Sequence, residues 1–250
     1  MRRRARWPAS AVAVLIYLGL AGCDSFPGRP NPAHREVVAS QVVEFDVLYA
    51  RNCAGCHGAD GRLGAARPLN DPVYLALVPH ERLRTILAEG VPGTSMPAFG
   101  AGAGGDLKDA QIDALAKGML ARWGQPDAVK GLTLPAYEAR VKGSSPAARE
   151  QGAAVYASAC ARCHGPGGRG GPTAGSIVDP TFLALVSDQS LRTTVIAGRP
   201  DLGKPDWRED IPGQPLTSEQ ISDVVAWLVG HRQTVPGRRD SGGGPAGWRA

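Results

Sequence analysis

Two stretches of the chain carry the same pattern of reactive side chains, Cys53-Ala54-Gly55-Cys56-His57 and Cys160-Ala161-Arg162-Cys163-His164. Two thiols one helical turn apart, followed at once by an imidazole, are the pattern of c-type haem attachment. The thiols can add to the two vinyl groups of one porphyrin, while the next residue presents its ring to the iron from the same short helix. Exported thiols often pair as disulfides, but a disulfide has no use for an adjacent histidine in both copies. The expected cofactors are therefore two covalent haem c groups, one on Cys53, Cys56 and His57 and one on Cys160, Cys163 and His164. The fifth cysteine, Cys23, lies far from both motifs.

The elements that must position these groups repeat as well. Residues 49–58 lie over 156–165 at an offset of 107. At 108, Asp71-Pro72, Leu75-Ala76-Leu77-Val78 and Leu83-Arg84-Thr85 meet Asp179-Pro180, Leu183-Ala184-Leu185-Val186 and Leu191-Arg192-Thr193. At 109, Leu107, Gln111 and Ile112 meet Leu216, Gln220 and Ile221. Such self-similarity marks two copies of one domain, over 36–123 and 146–235, with a linker over 124–145. A tail rich in Gly, Arg and Pro follows over 236–250, a composition expected to stay disordered. Helices are expected over 41–51 and 147–159, leading into the motifs. Two more are expected over 109–123 and 218–232, with apolar residues at helical spacing: Ile112, Leu115 and Met119, then Ile221, Val224, Val225 and Leu228. Thr217 and Gln220 fit a capping box at the start of the last one.

On these residues each repeat resembles a class I cytochrome c domain, and the chain resembles a two-haem cytochrome c over nearly all of 36–235. The resemblance implies an all-α fold of two tandem class I cytochrome c domains, each wrapping one covalently bound haem. A first helix leads into the motif, loops wrap the haem, and a last helix crosses back over the first. At that crossing the family sets a small residue against an aromatic one. Repeat two has Gly152 and Trp227; the aligned residues of repeat one are Phe45 and Gly118, the same pair with partners exchanged. Close packing conserves summed volume, so Phe45 is expected to touch the Gly118 turn and Trp227 the Gly152 turn. Pro68 and Pro172 match the family's proline, whose carbonyl accepts a hydrogen bond from the haem-bound histidine. Arg84 and Arg192, at matched positions, are either partners of haem propionates or solvated helix charges, the second being the simpler reading.

The sixth iron ligand separates the repeats. Gly93-Thr94-Ser95-Met96-Pro97-Ala98-Phe99 resembles the family's methionine loop, which makes Met96 the expected ligand in repeat one. A thioether favours ferrous iron, so His/Met ligation raises the potential. Met119 falls on an apolar helix face and is read as core. Repeat two has no methionine, and Lys204 falls at the place of Met96 in Arg199-Pro200-Asp201-Leu202-Gly203-Lys204-Pro205-Asp206-Trp207. Two readings stand there. In one, the amine loses its proton and binds iron, as burial beside a metal favours. In the other, Lys204 stays charged and outside, and the second iron is five-coordinate or taken by another group. His34, His80 and His231 are spare imidazoles, read as surface residues.

The start of the chain reads as a targeting segment. Arg2, Arg3, Arg4 and Arg6 precede a short apolar run over 11–20, the layout of a secretory signal. Ten apolar residues are half of the about 20 that a membrane-spanning helix needs. Leu20-Ala21-Gly22-Cys23 resembles the bacterial lipoprotein signal, which implies cleavage after residue 22 and a lipid on Cys23. Residues 23–35, with Pro27, Pro30 and Pro32, then form a stiff tether. The chain would be exported and lipid-anchored on the periplasmic face of the inner membrane. The N-terminal arginines also account for most of the net charge of +5, since the other 24 Lys and Arg nearly balance 23 Asp and Glu. With no basic face on the folded part, nucleic-acid binding is excluded as the leading idea.

Two covalent haems, a membrane tether and no substrate motif point to single-electron transfer in a respiratory chain, with an integral membrane complex or another redox protein as partner. Repeat one has eight basic and ten acidic residues, a net of −2, and repeat two has eight and nine, a net of −1. Strong electrostatic steering of a partner is therefore not expected. The rival is a two-haem redox enzyme, peroxidase-like or thiosulfate-oxidising, that works at an open iron in repeat two. A gas sensor is a third class, disfavoured because no output domain follows.

Overall fold

The structure, a computed structural model, describes residues 37–92, 94–139 and 145–232. Its contacts divide the chain into two units, 1–41 and 42–250. The described part of the first unit holds one 3-10 turn, Ala39–Gln41, closed by the Gln41 N–H on the Val38 carbonyl. The expected signal segment, Cys23, His34, the tether and the tail over 236–250 lie outside the described residues.

Both repeats fall in the second unit. Repeat one runs α1 (Phe45–Asn52), α2 (Ala54–His57), α3 (Pro72–Leu77), α4 (His80–Glu89) and α5 (Asp109–Trp123). Repeat two runs α6 (Pro146–Ala159), α7 (Ala161–His164), α8 (Pro180–Leu185), α9 (Asp188–Ala197) and α10 (Ser218–Gly230). The described residues hold no strand, only isolated bridges between Gly100 and Leu107 and between Arg199 and Lys204. The fold is all-α.

Local chemistry sets the helix starts. Ser145 accepts from the Ala148 N–H with Pro146 in the first turn of α6. Thr217 and Gln220 exchange side-chain and backbone hydrogen bonds at the start of α10, the expected capping box. Gln111 accepts from the Lys108 N–H and donates to the Val42 carbonyl, tying α5 to the segment ahead of α1. Segments expected as haem-wrapping loops also hold four helices, α3, α4, α8 and α9. The signal for α3 and α8 lies in Asp71-Pro72 and Asp179-Pro180, where each Asp caps the helix and proline occupies its first turn; α9 is capped by Ser187.

The helix crossings carry the expected exchange of sizes. A Cβ on Gly118 would overlap the Phe45 ring, and a Cβ on Gly152 would overlap the Asp223 carbonyl and crowd Trp227. Phe45 meets Trp123 edge-on at 5.4 Å, and Trp227 stacks on Tyr156 at 4.3 Å. Ile112, Leu115 and Met119 of α5 are buried, as are Ile221, Val224, Val225 and Leu228 of α10. One apolar cluster runs from Leu48 and Tyr49 of repeat one to Trp207 and Ile221 of repeat two. The repeats therefore pack against each other.

Residues between the repeats are strapped onto repeat two. Arg192 on α9, 1% exposed, donates to the Ala136 carbonyl at 2.9 Å, to Ser218 Oγ at 2.7 Å and to Ser222 Oγ at 2.9 Å. Beside it, Gln189 accepts from the Ala139 N–H and donates to the Tyr137 carbonyl. The expectation of a solvated charge is thus overturned for Arg192, whose guanidinium is buried on linker and helix oxygens. Linker carbonyls that leave water need donors, and a guanidinium offers five in one plane. Arg84 pairs instead with Glu81 and Asp113 at the surface.

Candidate functional site

A single residue separates each motif helix from the helix before it. Cys53 closes α1 and opens α2, and Cys160 does the same between α6 and α7. This break turns each motif away from the preceding helix axis while keeping the second cysteine and the histidine on one short turn. Cys53 is buried and Cys56 exposed, Cys160 and Cys163 are half-buried, and all four thiols are free. Matched tyrosines brace the turn from behind. Tyr49 donates to the Gly58 carbonyl at 2.7 Å and Tyr156 to the Gly165 carbonyl at 2.5 Å. Burial pushes the Tyr49 hydroxyl up to about 12 and the Cys53 and Cys160 thiols up to about 11, so all three are neutral at neutral pH.

The histidines are oriented by backbone carbonyls, but not those expected. His57 Nδ1 bonds the Arg67 carbonyl at 2.6 Å and His164 Nδ1 bonds the Gly175 carbonyl at 3.0 Å. Pro68 and Pro172 are therefore not the acceptors. Pro68 acts one step away, because a residue before proline is held extended, and that residue is Arg67. In repeat two the acceptor is displaced to Gly175, beyond the glycine-rich turn. A ring that donates from Nδ1 leaves Nε2 as the free donor atom for a metal. Burial also lowers the His57 pKa, which favours the neutral ring that ligation requires.

The two loops that carry Met96 and Lys204 are built on one backbone. Helices α4 and α9 end at Gly90 (φ 71°) and Gly198 (φ 73°), left-handed conformations that favour glycine. The next N–H closes each loop, Val91 on the Met96 carbonyl and Arg199 on the Lys204 carbonyl, both at 3.1 Å. Lys204 thus holds the backbone place of Met96, as the alignment implied. The side chains diverge. Met96 is half-buried against the apolar cluster. Lys204 Nζ donates to the Pro205 carbonyl at 2.8 Å and lies 3.5 Å from Asp210 Oδ1. Asp210 is 5% exposed, its Oδ2 has no hydrogen-bond partner, and burial raises its carboxyl above the usual range. Its charge is felt at Cys160, so the pair borders the second motif.

The donor sets suit haem c. Each repeat offers two free thiols, an imidazole whose Nδ1 is held by a backbone carbonyl, and the equivalent loop that carries Met96 or Lys204. Of the spare histidines, His80 faces Glu81 at 3.4 Å and His231 bonds the Trp227 carbonyl at 2.9 Å. Sequence reasoning missed Asp210 and Arg67. Asp210 carries no local signal, but Arg67 could have been suspected from its place immediately before Pro68. The Arg67 guanidinium donates from Nη2 to Thr194 Oγ1 at 2.5 Å and lies 5.4 Å from the centre of the Tyr74 ring, while its Nη1 is buried without a partner.

The sequence pattern of the family described as "Cytochrome C oxidase, cbb3-type, subunit III" matches residues 41–117 and again 147–228. The chain is similar to the cbb3-type cytochrome c oxidase subunit CcoP of Rubrivivax gelatinosus, 30% identical over 198 residues, covering 76% of this chain and 55% of that one. It is 28% identical over 205 residues to the cbb3-type cytochrome c oxidase subunit FixP of Azorhizobium caulinodans, covering 78% of this chain and 62% of the relative. The chain thus spans little more than half the length of the curated relatives it matches. Among solved structures, a chain of the Kuenenia stuttgartiensis reducing HAO-like protein complex superposes with a TM-score of 0.47 at 15% identity, covering 79% of this chain and 98% of that one.

Proposed function

Because the chain belongs to the family of cytochrome C oxidase, cbb3-type, subunit III, and is a tandem of two cytochrome c domains with covalently bound haem c, we propose that it passes single electrons through two haems to or from a membrane respiratory complex. The observation that carries this reading is the duplicated site. Both repeats present the same break before the motif, the same carbonyl-held histidine and the same closing loop within one packed unit. Cys53, Cys56 and Cys160, Cys163 hold the haems; His57 and His164 supply the fifth ligands, and Met96 supplies the sixth in repeat one. Lys204 is the side chain in that place in repeat two, and to bind iron its amine must leave Asp210 and the Pro205 carbonyl. The haems supply reversible one-electron chemistry, while the chain orients the histidines and keeps water from one face of each site. A partner of the kind named by the relatives, a cbb3-type oxidase, is the proposed redox neighbour.

No helix among the described residues is long and apolar enough to cross a membrane. A lipid on Cys23 is the proposed anchor, holding the two domains on the periplasmic face of the inner membrane. Each buried CH₂ of such an anchor contributes about 0.8 kcal/mol.

The test is low-temperature EPR of the oxidised, haem-loaded protein beside Lys204→Ala. Two low-spin signals in the wild type, one of them becoming high-spin in the variant, establish a closed two-step carrier with Lys204 as ligand. A high-spin haem already present in the wild type removes Lys204 from the iron and moves weight to the enzyme reading, which peroxide and thiosulfate turnover then tests. Membrane release of Cys23→Ala, with the lipid mass read on the wild-type N-terminal peptide, tests the anchor.

A further inference from the structure

Arg67 stands where the two repeats meet. Its carbonyl holds His57 Nδ1 at 2.6 Å, which makes it part of the first haem site. Its side chain leaves that site and reaches α9 of repeat two, donating from Nη2 to Thr194 Oγ1 at 2.5 Å. Thr194 is no bystander there: its carbonyl accepts from the N–H of Gly198, the residue at which the Lys204 loop begins. The guanidinium lies 5.4 Å from the centre of the Tyr74 ring, and Arg199, on the stem of the Lys204 loop, lies near enough to repel it.

What the cation lacks is an anion in contact, since the charges of Asp71 and Asp201 are felt at Arg67 without an ion pair to either. No carboxylate of the described residues forms an ion pair with Arg67, and its Nη1 is buried with no hydrogen-bond partner. The nearby Asp71 spends Oδ1 on the Val73 and Tyr74 N–H groups that start α3, and its Oδ2 is buried without a hydrogen-bond partner, so neither it nor Arg67 Nη1 completes the other. A buried guanidinium with an unused donor is costly unless something completes it. A haem brings two carboxylates to a site that otherwise buries apolar ring.

We propose that Arg67 is a positioning residue shared by the two haem sites, its free Nη1 completed by a carboxylate of a bound haem and its charge and its tie to Thr194 together setting the potential of the first haem. The proposal rests on the reading that both motifs hold haem. Two effects act on the first iron, in opposite directions. The Arg67 carbonyl that receives the His57 proton makes the ring a stronger donor and favours the ferric state. The positive charge of the side chain disfavours that state, and it is the charge that Arg67→Gln removes. Thr194 brings repeat two into the control of a site to which it contributes no motif residue.

The experiment is spectroelectrochemical titration of the haem-loaded full chain, with haems per chain counted by pyridine haemochrome. The near-infrared band of a methionine-ligated ferric haem marks the first site. Arg67→Gln is expected to lower the midpoint potential of that haem, and Arg67→Lys to restore most of the shift. Thr194→Val, which removes the acceptor in repeat two and no charge, is expected to move the same haem with two haems still bound. If Arg67→Gln moves the first haem alone, the carboxylate is that haem's own; if it moves both, the carboxylate comes from the second. Loss of thermal stability in Arg67→Gln, Arg67→Lys and Thr194→Val with both potentials unmoved overturns the proposal and leaves Arg67 a structural strut. A shift in Arg67→Gln without one in Thr194→Val overturns the link between repeats. A wild-type chain that takes up no haem overturns the functional reading and this proposal together.

Discussion

The loops of Met96 and Lys204 leave their helices through the same left-handed glycine and close on the same backbone hydrogen bond, 3.1 Å in each. They differ in what the side chain needs. A thioether is content among apolar atoms, and Met96 packs half-buried on the core. An amine is not, and Lys204 is held by the Pro205 carbonyl and the buried carboxylate of Asp210. Duplication preserved the loop and changed its chemistry at one point, with Asp210 supplied from the segment that follows the Lys204 loop. Backbone geometry therefore says where a ligand stands, and the polarity around it says what state that ligand is in.

The largest test of this contrast exchanges the ligands. Met96→Ala is expected to lower the first haem's potential by ~0.2 V, within the roughly 0.8 V range that axial ligation spans. Lys204→Met should raise the second haem toward the first, and a titration in which the two waves converge measures both. If Lys204→Met leaves its wave in place, the equivalence of the loops is structural only.

Next in size are the two helix crossings, which look equivalent and are not. Gly152 faces the Asp223 carbonyl, a backbone atom that cannot turn aside, while Gly118 faces the Phe45 ring. Gly152→Ala is expected to cost about 3 kcal/mol and Gly118→Ala about 1 kcal/mol, read from urea unfolding. Phe45→Leu should recover most of the loss in Gly118→Ala. Equal costs at the two glycines would show that Phe45 is as immovable as backbone.

Arg84 and Arg192 sharpen the comparison further, since their positions match and their surroundings do not. Arg192→Ala leaves the Ala136 carbonyl without its donor and should cost ~2–3 kcal/mol, with faster proteolysis of residues 124–139. Arg84→Ala, at the surface, should cost far less.

The smallest effect concerns the matched helix caps Asp71 and Asp179. Asp71 is 1% exposed and burial raises its carboxyl above the usual range. A raised carboxyl favours the neutral form in the folded state, so its stabilising contribution is lost as pH rises through the folded-state value. Asp71→Asn keeps the capping oxygen and should gain on the wild type as pH rises from 4 toward 8, measured by chemical unfolding at each pH. Asp179→Asn, on an exposed cap, serves as the control. A pH-independent difference at Asp71 would mean that its charge is compensated when folded.

Residue types and spacing along the chain sufficed for the two attachment motifs, the duplication and the helices that lead into and follow them, although the first begins at Phe45 and not at 41; the size exchange at their crossings came with the family resemblance. The motifs, the duplication and the helices rest on contacts within a turn or on a pattern that repeats, and both are written in linear order. The same holds for Lys204 at the place of Met96, because the loop's closing bond spans only five residues. The short helices α3 and α8 are marked in the sequence only by their Asp-Pro starts. Acceptor carbonyls at Arg67 and Gly175, rather than at Pro68 and Pro172, depend on how each chain bends between motif and acceptor. The burial of Arg192 against the linker, the Asp210 partner of Lys204 and the bridge from Arg67 to Thr194 join residues far apart in sequence, the last separated by 127 positions. Such contacts form because buried donors and acceptors must be paired once water is gone, and which groups lose water together is settled when the repeats pack.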